Sequence, residues 1–253
     1  MKLREVLSTR RPTFDQKSWL PEIMEWMPAE AREWVDEREE TVALVHEIPG
    51  SSVPTLFACH LDTVHTHSGY QQVRALRGRS GALHTPDGEC LGADDGAGIW
   101  LMLEMIAAHV PGTYVFHVGE ERGCQGSRWL AAHHHDWLAQ FQRAIGFDRP
   151  GTTDVVSHFA GTRGCSPAFV MDLSCQLSAH LTGGYELAPC RTGGLTDVRH
   201  YIDLIPECTN ISVGYHQQHR REEWLDVTYL TALRWAVLEV FGDELMGDPE
   251  GMA

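Results

Sequence analysis

Apolar positions along the chain fall into two alternating patterns. Short, nearly continuous apolar runs read as buried strands: "ETVALVHEI" (40–48), "VPTLFAC" (53–59), "TYVFHV" (113–118), "RAIGF" (143–147) and "CTNISVGY" (208–215). The first two are separated by Pro49-Gly50-Ser51, a turn signal. Longer segments with helical spacing or helical length lie around them. "KSWLPEIMEWMPAEAREWV" (17–35) predicts one or two amphipathic helices interrupted at Pro28. "DGAGIWLMLEMIAAH" (95–109) predicts a buried helix by its apolar density. Further helices are expected around 126–138, over 166–181, over a shorter stretch at 196–205, and over 227–241. "QQVRALRGRSGALHTPDGEC" (71–90) has the look of a hairpin excursion. Strands alternating with helices predict an α/β three-layer sandwich, a mostly parallel central sheet with helices on both faces. No repeat or Pro/Gly/Ser-rich linker divides the chain, so a single domain spanning 1–253 is the expected organisation.

In open α/β sheets, ligands bind beyond the carboxyl ends of the strands. His60-Leu61-Asp62 follows "VPTLFAC", and Gly119-Glu120-Glu121 follows "TYVFHV". Asp148 follows "RAIGF", and the cluster His216 to Glu223 follows "CTNISVGY". A further pair, Asp94-Asp95, stands just before the buried helix. Metal-capable side chains therefore gather at one edge of the predicted sheet. Zinc takes imidazole nitrogen and carboxylate oxygen, and two metals can share a bridging carboxylate. A hydrolytic site of that kind also needs a carboxylate kept off the metal as general base. His60, Asp94, Glu121, Asp148, His219 and Glu120 supply such a set. Adjacent Glu120 and Glu121 can point differently, one to ligate and one to face water.

Composition narrows the chemistry. The 253 residues are 43% apolar and 22% charged, ordinary for a globular protein. A formal net charge of −15 disfavours nucleic acid and anionic membranes as partners. Seven scattered cysteines without a CxxC pair make a poor disulfide framework and fit a reducing compartment. The N-terminal stretch lacks the apolar core of a secretory signal, and no run is long enough to span a bilayer. The expected setting is cytoplasmic.

The pieces "HLDTV", "LGADDGAG", "VGEERGCQGS", "AIGFDRPG", "RTGGLTDVRHYIDLIPECTNISVGYHQQH" and the following Glu223 resemble, in order, the co-catalytic di-zinc exopeptidases. These include zinc aminopeptidases, peptidase T-like tripeptidases, glutamate carboxypeptidases and aminoacylases. The resemblance implies two divalent ions, zinc foremost, with cobalt or manganese as alternatives. It implies His60 and Asp148 on one ion, Glu121 and His219 on the other, and Asp94 bridging. Glu120 would be the general base, and Asp62 the carboxylate orienting His60. His216 and His219 compete for one place, and the family's His-x-x-x-Glu favours His219. A cis peptide at Asp94-Asp95 is implied as well. Several relatives insert a dimerisation domain after the ligand matched by Asp148. Only about seventy residues separate Asp148 from His219 here, which leaves no room for it. The implied function is cleavage of a peptide or small amide bond, foremost as an aminopeptidase or other exopeptidase.

Rival readings are an N-acyl amino acid amidohydrolase, a one-zinc glutaminyl cyclase-like acyltransferase, and a non-catalytic binding protein that keeps the fold. Arg191, in "CRTGG", is a candidate for a substrate carboxylate or for a plain ion pair. His65 and His67 fall on the loop beyond Asp62, and the His133-His134-His135 triplet spans several faces of a helix and reads as surface. Oligomeric state is not legible.

Overall fold

A computed structural model describes residues 2–242. Eight strands form the main sheet: β1 (Arg32–Val35), β2 (Thr41–Ile48), β3 (Thr55–His60), β4 (Gly112–His117), β5 (Arg143–Arg149), β6 (Asp154–Val156), β7 (Ala188–Cys190) and β8 (Glu207–Ser212). Their order across the sheet is β7-β6-β8-β5-β3-β4-β2-β1. The central four, β8-β5-β3-β4, run parallel, as buried crossover strands do. The antiparallel pairings β1–β2, β2–β4 and β6–β8 lie outside that core.

Alternation along β3 shows how the layers are made. Phe57 and Cys59 point to one core, which also holds residues of α1 (Leu3–Ser8), α2 (Gln16–Trp26), α3 (Ala93–Ala107), α6 (Pro167–His180) and α7 (Val227–Gly242). Leu56 and Ala58 point to the opposite core, beneath α4 (Gln125–His133), α5 (His135–Leu138) and the 3₁₀ turn Asp197–Tyr201. Every side chain of this strand is buried, so a near-continuous apolar run is what a two-sided strand requires. The mostly parallel, helix-flanked sheet matches the expected fold class.

Three local expectations need correction. Residues 32–35 are not helical. The helix ends at Trp26, just before Pro28, and Arg32–Val35 pairs antiparallel with β2 as the sheet edge. Trp34 is accordingly a strand residue, where edge pairing outweighs helical spacing. The segment 196–205 forms only a five-residue 3₁₀ turn. The strand begun by "RAIGF" continues to Arg149, so Asp148 lies within it.

The expected hairpin pairs Arg74–Ala75 with Ala82–His84, and it joins Tyr215–His216 and Trp224–Asp226 in a four-stranded antiparallel sheet. The connection between these last two strands carries His219. Its position is therefore set by a small sheet outside the main one.

Candidate active site

His60 ends β3, Asp148 lies near the end of β5, and Glu120 and Glu121 occupy the 3₁₀ turn that follows β4. Asp94 stands at the mouth of α3, with a cis peptide to Asp95. Gly92, at φ +69°, turns the chain into this corner. The elements bring five expected metal-ligating side chains together as two clusters that share Asp94.

In the first cluster, His60 Nε2 lies 3.1 Å from Asp94 Oδ1 and 3.6 Å from Asp148 Oδ1. In the second, His219 Nε2 lies 3.1 Å from Asp94 Oδ2 and 3.0 Å from Glu121 Oε1. Each Asp94 oxygen thus serves one imidazole. Glu121 Oε1 is buried and, despite that proximity, lacks a donor in hydrogen-bonding geometry. Buried acceptors are costly without a partner, and a divalent cation would satisfy this one. Donor atoms of His60, Asp94 and Asp148, and of Asp94, Glu121 and His219, lie mutually within 4.8 Å. Mixed nitrogen and oxygen donors at this spacing fit a divalent ion in each group.

Electrostatics without an ion point the same way. Burial and then Asp148 raise Glu120 to about 9, although His60 opposes them. Burial raises Asp148 and Glu121 as well. The adjacent Asp94 and Glu121 carboxylates hold the His219 imidazolium up to about 10. So much crowded acidity is a site arranged around positive charge.

The surroundings fix these groups. His60 Nδ1 donates to the Asp62 backbone carbonyl at 2.9 Å, whereas the Asp62 carboxylate lies 3.6 Å away. That carboxylate instead accepts from the backbone N–H groups of Gly119, Glu120 and Glu121, and from the Thr13 hydroxyl. It therefore organises the turn bearing Glu120 more directly than it steers the imidazole. Asp148 accepts from Thr196 and Tyr215 hydroxyls, and its backbone is clamped by the Asn210 amide. Buried Glu223 accepts from the Gly92 and Asp94 backbone N–H groups at 2.8 and 2.9 Å. Arg11, fully buried, donates to the carbonyls of Leu61 and Gly92 on either side of the site. Thr196, Asn210 and Tyr215 lie within the stretch 191–219, but their roles, like those of Thr13 and Arg11, were not legible, because each acts through a distant backbone or hydroxyl contact.

Other candidates fall elsewhere. Arg191 is exposed and does not line the cavity beside the cluster. His65 is buried, with its ring nitrogens on Thr63 Oγ1 and the Cys90 carbonyl, and burial lowers its pKa to about 4. His67 sits near Glu89, and His216 stacks on Trp224. The cavity, of about 170 Å³, is bordered by Asp94, Glu120 and Asp148 on one side. Val156, Phe159, Leu195 and Tyr215 form its apolar part.

A parallel-core sheet with an imidazole–carboxylate cluster at its carboxyl edge has the architecture of a metal-dependent hydrolase. A profile of Peptidase family M28 matches residues 43–204, and the chain belongs to that family. It is a metal-dependent peptide-bond hydrolase. No curated protein sequence matches it significantly. Among solved structures, it is similar to the aminopeptidase PepT from Bacillus cereus, with TM-score 0.68 and 15% identity over 96% of this chain and 97% of that one. A tripeptidase from Staphylococcus aureus has TM-score 0.70 and 14% identity, covering 96% and 97%. The LapA aminopeptidase from Legionella pneumophila has TM-score 0.62 and 17% identity, covering 98% of this chain and 70% of that one. At these identities the likeness establishes the fold.

Among the described residues, no helix is long and apolar enough to cross a membrane.

Proposed function

We propose that the protein is an exopeptidase, foremost an aminopeptidase, working with two divalent ions, zinc before cobalt or manganese. The observation that carries this is the sharing of Asp94 between two clusters while Glu120 stands beside them as a further carboxylate. His60 and Asp148 would hold one ion, Glu121 and His219 the other, and Asp94 both. When bound, the ions polarise the scissile carbonyl and acidify the attacking water.

The chain's own groups do the rest. Glu120 takes the proton of the water and returns it to the leaving nitrogen. Positive charge at the two clusters would bring Glu120 down from its raised value, so that it can act as a base near neutrality. Asp62 keeps Glu120 and Glu121 in register by gripping three successive backbone N–H groups. The apolar cavity wall receives a substrate side chain. Substrates would be short peptides or small amides, and the role suggested for Arg191 would require substrate to extend beyond the cavity. All seven cysteines are free thiols, in keeping with a cytoplasmic setting. One domain, 1–253, carries the activity in this reading.

The test is amide hydrolysis by the metal-loaded protein and by its Glu120→Gln form. The variant should bind metal normally and lose about 10²–10⁴-fold in kcat. Full activity in Glu120→Gln would overturn the assigned base, and failure to bind any divalent ion would overturn the whole reading. Metal analysis separates the one-zinc acyltransferase, which predicts a single ion per chain.

A further inference from the structure

Across the Gly119–Arg122 turn from the catalytic cavity lies a groove of about 870 Å³, several times the volume of that cavity. Segment 13–17, the region 36–42 and the start of α4 wall it. Its charges are unusual for a chain of net charge −15. Lys17, Arg38, Arg122 and Arg128 line it, against the acids Asp15, Asp36 and Glu40.

The acids are already engaged. Asp15 accepts from Ser18 and Ser68, while Asp36 and Glu40 both hold Arg38. Lys17, Arg122 and Arg128 have no carboxylate within ion-pair distance among the described residues. Exposed arginines are ordinarily just solvated. Two features set these apart. Phe14, 60% exposed, presents an aromatic ring on the same groove. The groove wall is also the backbone of the turn that carries Glu120, since Gly119 and Arg122 line the groove while Glu120 lines the cavity.

We infer that this groove is a subsite for a carboxylate on the leaving portion of a short peptide, paired with Arg122 and Arg128. The inference rests on the reading of Glu120 as the group that protonates the leaving nitrogen. That nitrogen must then lie beside Glu120, and the residues attached to it must leave the catalytic cavity on that side. The cavity itself has room for a side chain rather than a peptide. Guanidinium groups suit the task because their planar fork matches a carboxylate. The carboxylate has two possible sources, the free chain terminus or an acidic side chain.

The experiment compares kcat/KM of the metal-loaded enzyme for Leu-Gly-Gly, Leu-Gly-Gly-amide and Leu-Gly-Asp-amide. The same comparison is made with an Arg122→Gln/Arg128→Gln double variant. Wild type should prefer a carboxylate-bearing substrate over the neutral amide by about tenfold, the order of one charge-assisted hydrogen bond. That ratio should collapse toward one in the double variant. Preference for Leu-Gly-Gly assigns the groove to the chain terminus, and preference for Leu-Gly-Asp-amide assigns it to an acidic residue. Equal rates on all three substrates, or a ratio unchanged in the variant, would overturn the subsite. Calorimetric binding of Gly-Gly and Gly-Gly-amide to the metal-loaded protein gives a readout independent of turnover. A protein inactive on every amide that still binds Gly-Gly through these arginines would sink the peptidase reading and keep the groove.

Discussion

The two halves of the cluster are built from different kinds of chain. His60 and Asp148 stand on adjacent parallel strands, and the His60 side chain is 1% exposed. His219 stands on a connection of the small outer sheet, with its side chain 49% exposed and its backbone at φ +63°. The inner half is positioned by packing on both sides of the sheet, by hydrogen bonds from Thr196 and Tyr215 to Asp148, and by one from His60 to the Asp62 carbonyl. The outer half takes Glu121 from the turn after β4, but its imidazole depends on one loop. One cluster is thus set by the core of the fold, whereas the other must be held in place by a segment that solvent reaches. A ligand on rigid strands loses less freedom on binding an ion, so the inner half should bind more tightly.

The most forceful way to break this comparison is to remove one imidazole at a time. His219→Ala should leave a tight single-ion site at His60, Asp94 and Asp148, and titration should read one ion instead of two. His60→Ala should also leave one ion, but bound at least tenfold more weakly. Both variants should lose peptide hydrolysis by about two orders of magnitude or more. Equal residual affinities would show that the core confers no advantage.

A smaller effect tests the link between the halves. Asp62→Asn keeps the shape of the side chain but weakens its acceptance of three backbone N–H groups. It should cost about 10–100-fold in metal affinity or activity, with the larger loss at the Glu121 side, read by stepwise titration.

The smallest effect is in the pH dependence of stability. In the metal-free chain, Glu120 is raised to about 9, Glu223 to about 8 and His219 to about 10, from ordinary values of 4.5, 4.5 and 6.5. Each group then keeps a proton in the folded state after the unfolded chain has released it. Their contribution to stability is full below the unfolded values and falls as pH rises through 8 to 10. The Tm of chelator-treated protein should accordingly decline from pH 6 to pH 9. Metal binding displaces these protons, so the Tm gained on loading should grow over the same range. A metal-free Tm that rises with pH would refute the crowding of protonated acids described for the site.

The strands and the positions of the metal-capable residues were legible because both follow from local pattern. A two-sided strand needs an apolar run, and a polar residue at its end is conspicuous. The edge strand Arg32–Val35 was not legible, since four residues of which only Trp34 is part-buried look like the end of the preceding amphipathic helix. The role of Asp62 was only half legible. Proximity to His60 in sequence suggested an imidazole partner, while the contacts with residues 119–121 come from the adjacency of β3 and β4 across the sheet. Arg191 is an arginine in a glycine-rich stretch, yet the groove arginines are Arg122, in the turn beside Glu121, and Arg128, in α4. Which arginines share a cavity is a matter of tertiary placement, and no local spacing encodes it.

Glu223 gives the site a temporal property. It holds the backbone of Gly92 and Asp94 across about 130 residues of sequence. The corner that presents the shared carboxylate is therefore completed by a side chain that leaves the ribosome well after the corner itself. A nascent chain that has reached the end of β8 already contains His60, Glu120, Glu121 and Asp148 but lacks both His219 and Glu223. Such a chain cannot assemble the shared site. A hydrolase of peptide bonds built in this order stays latent until residues 219–223 are available to fold against the strands that precede them.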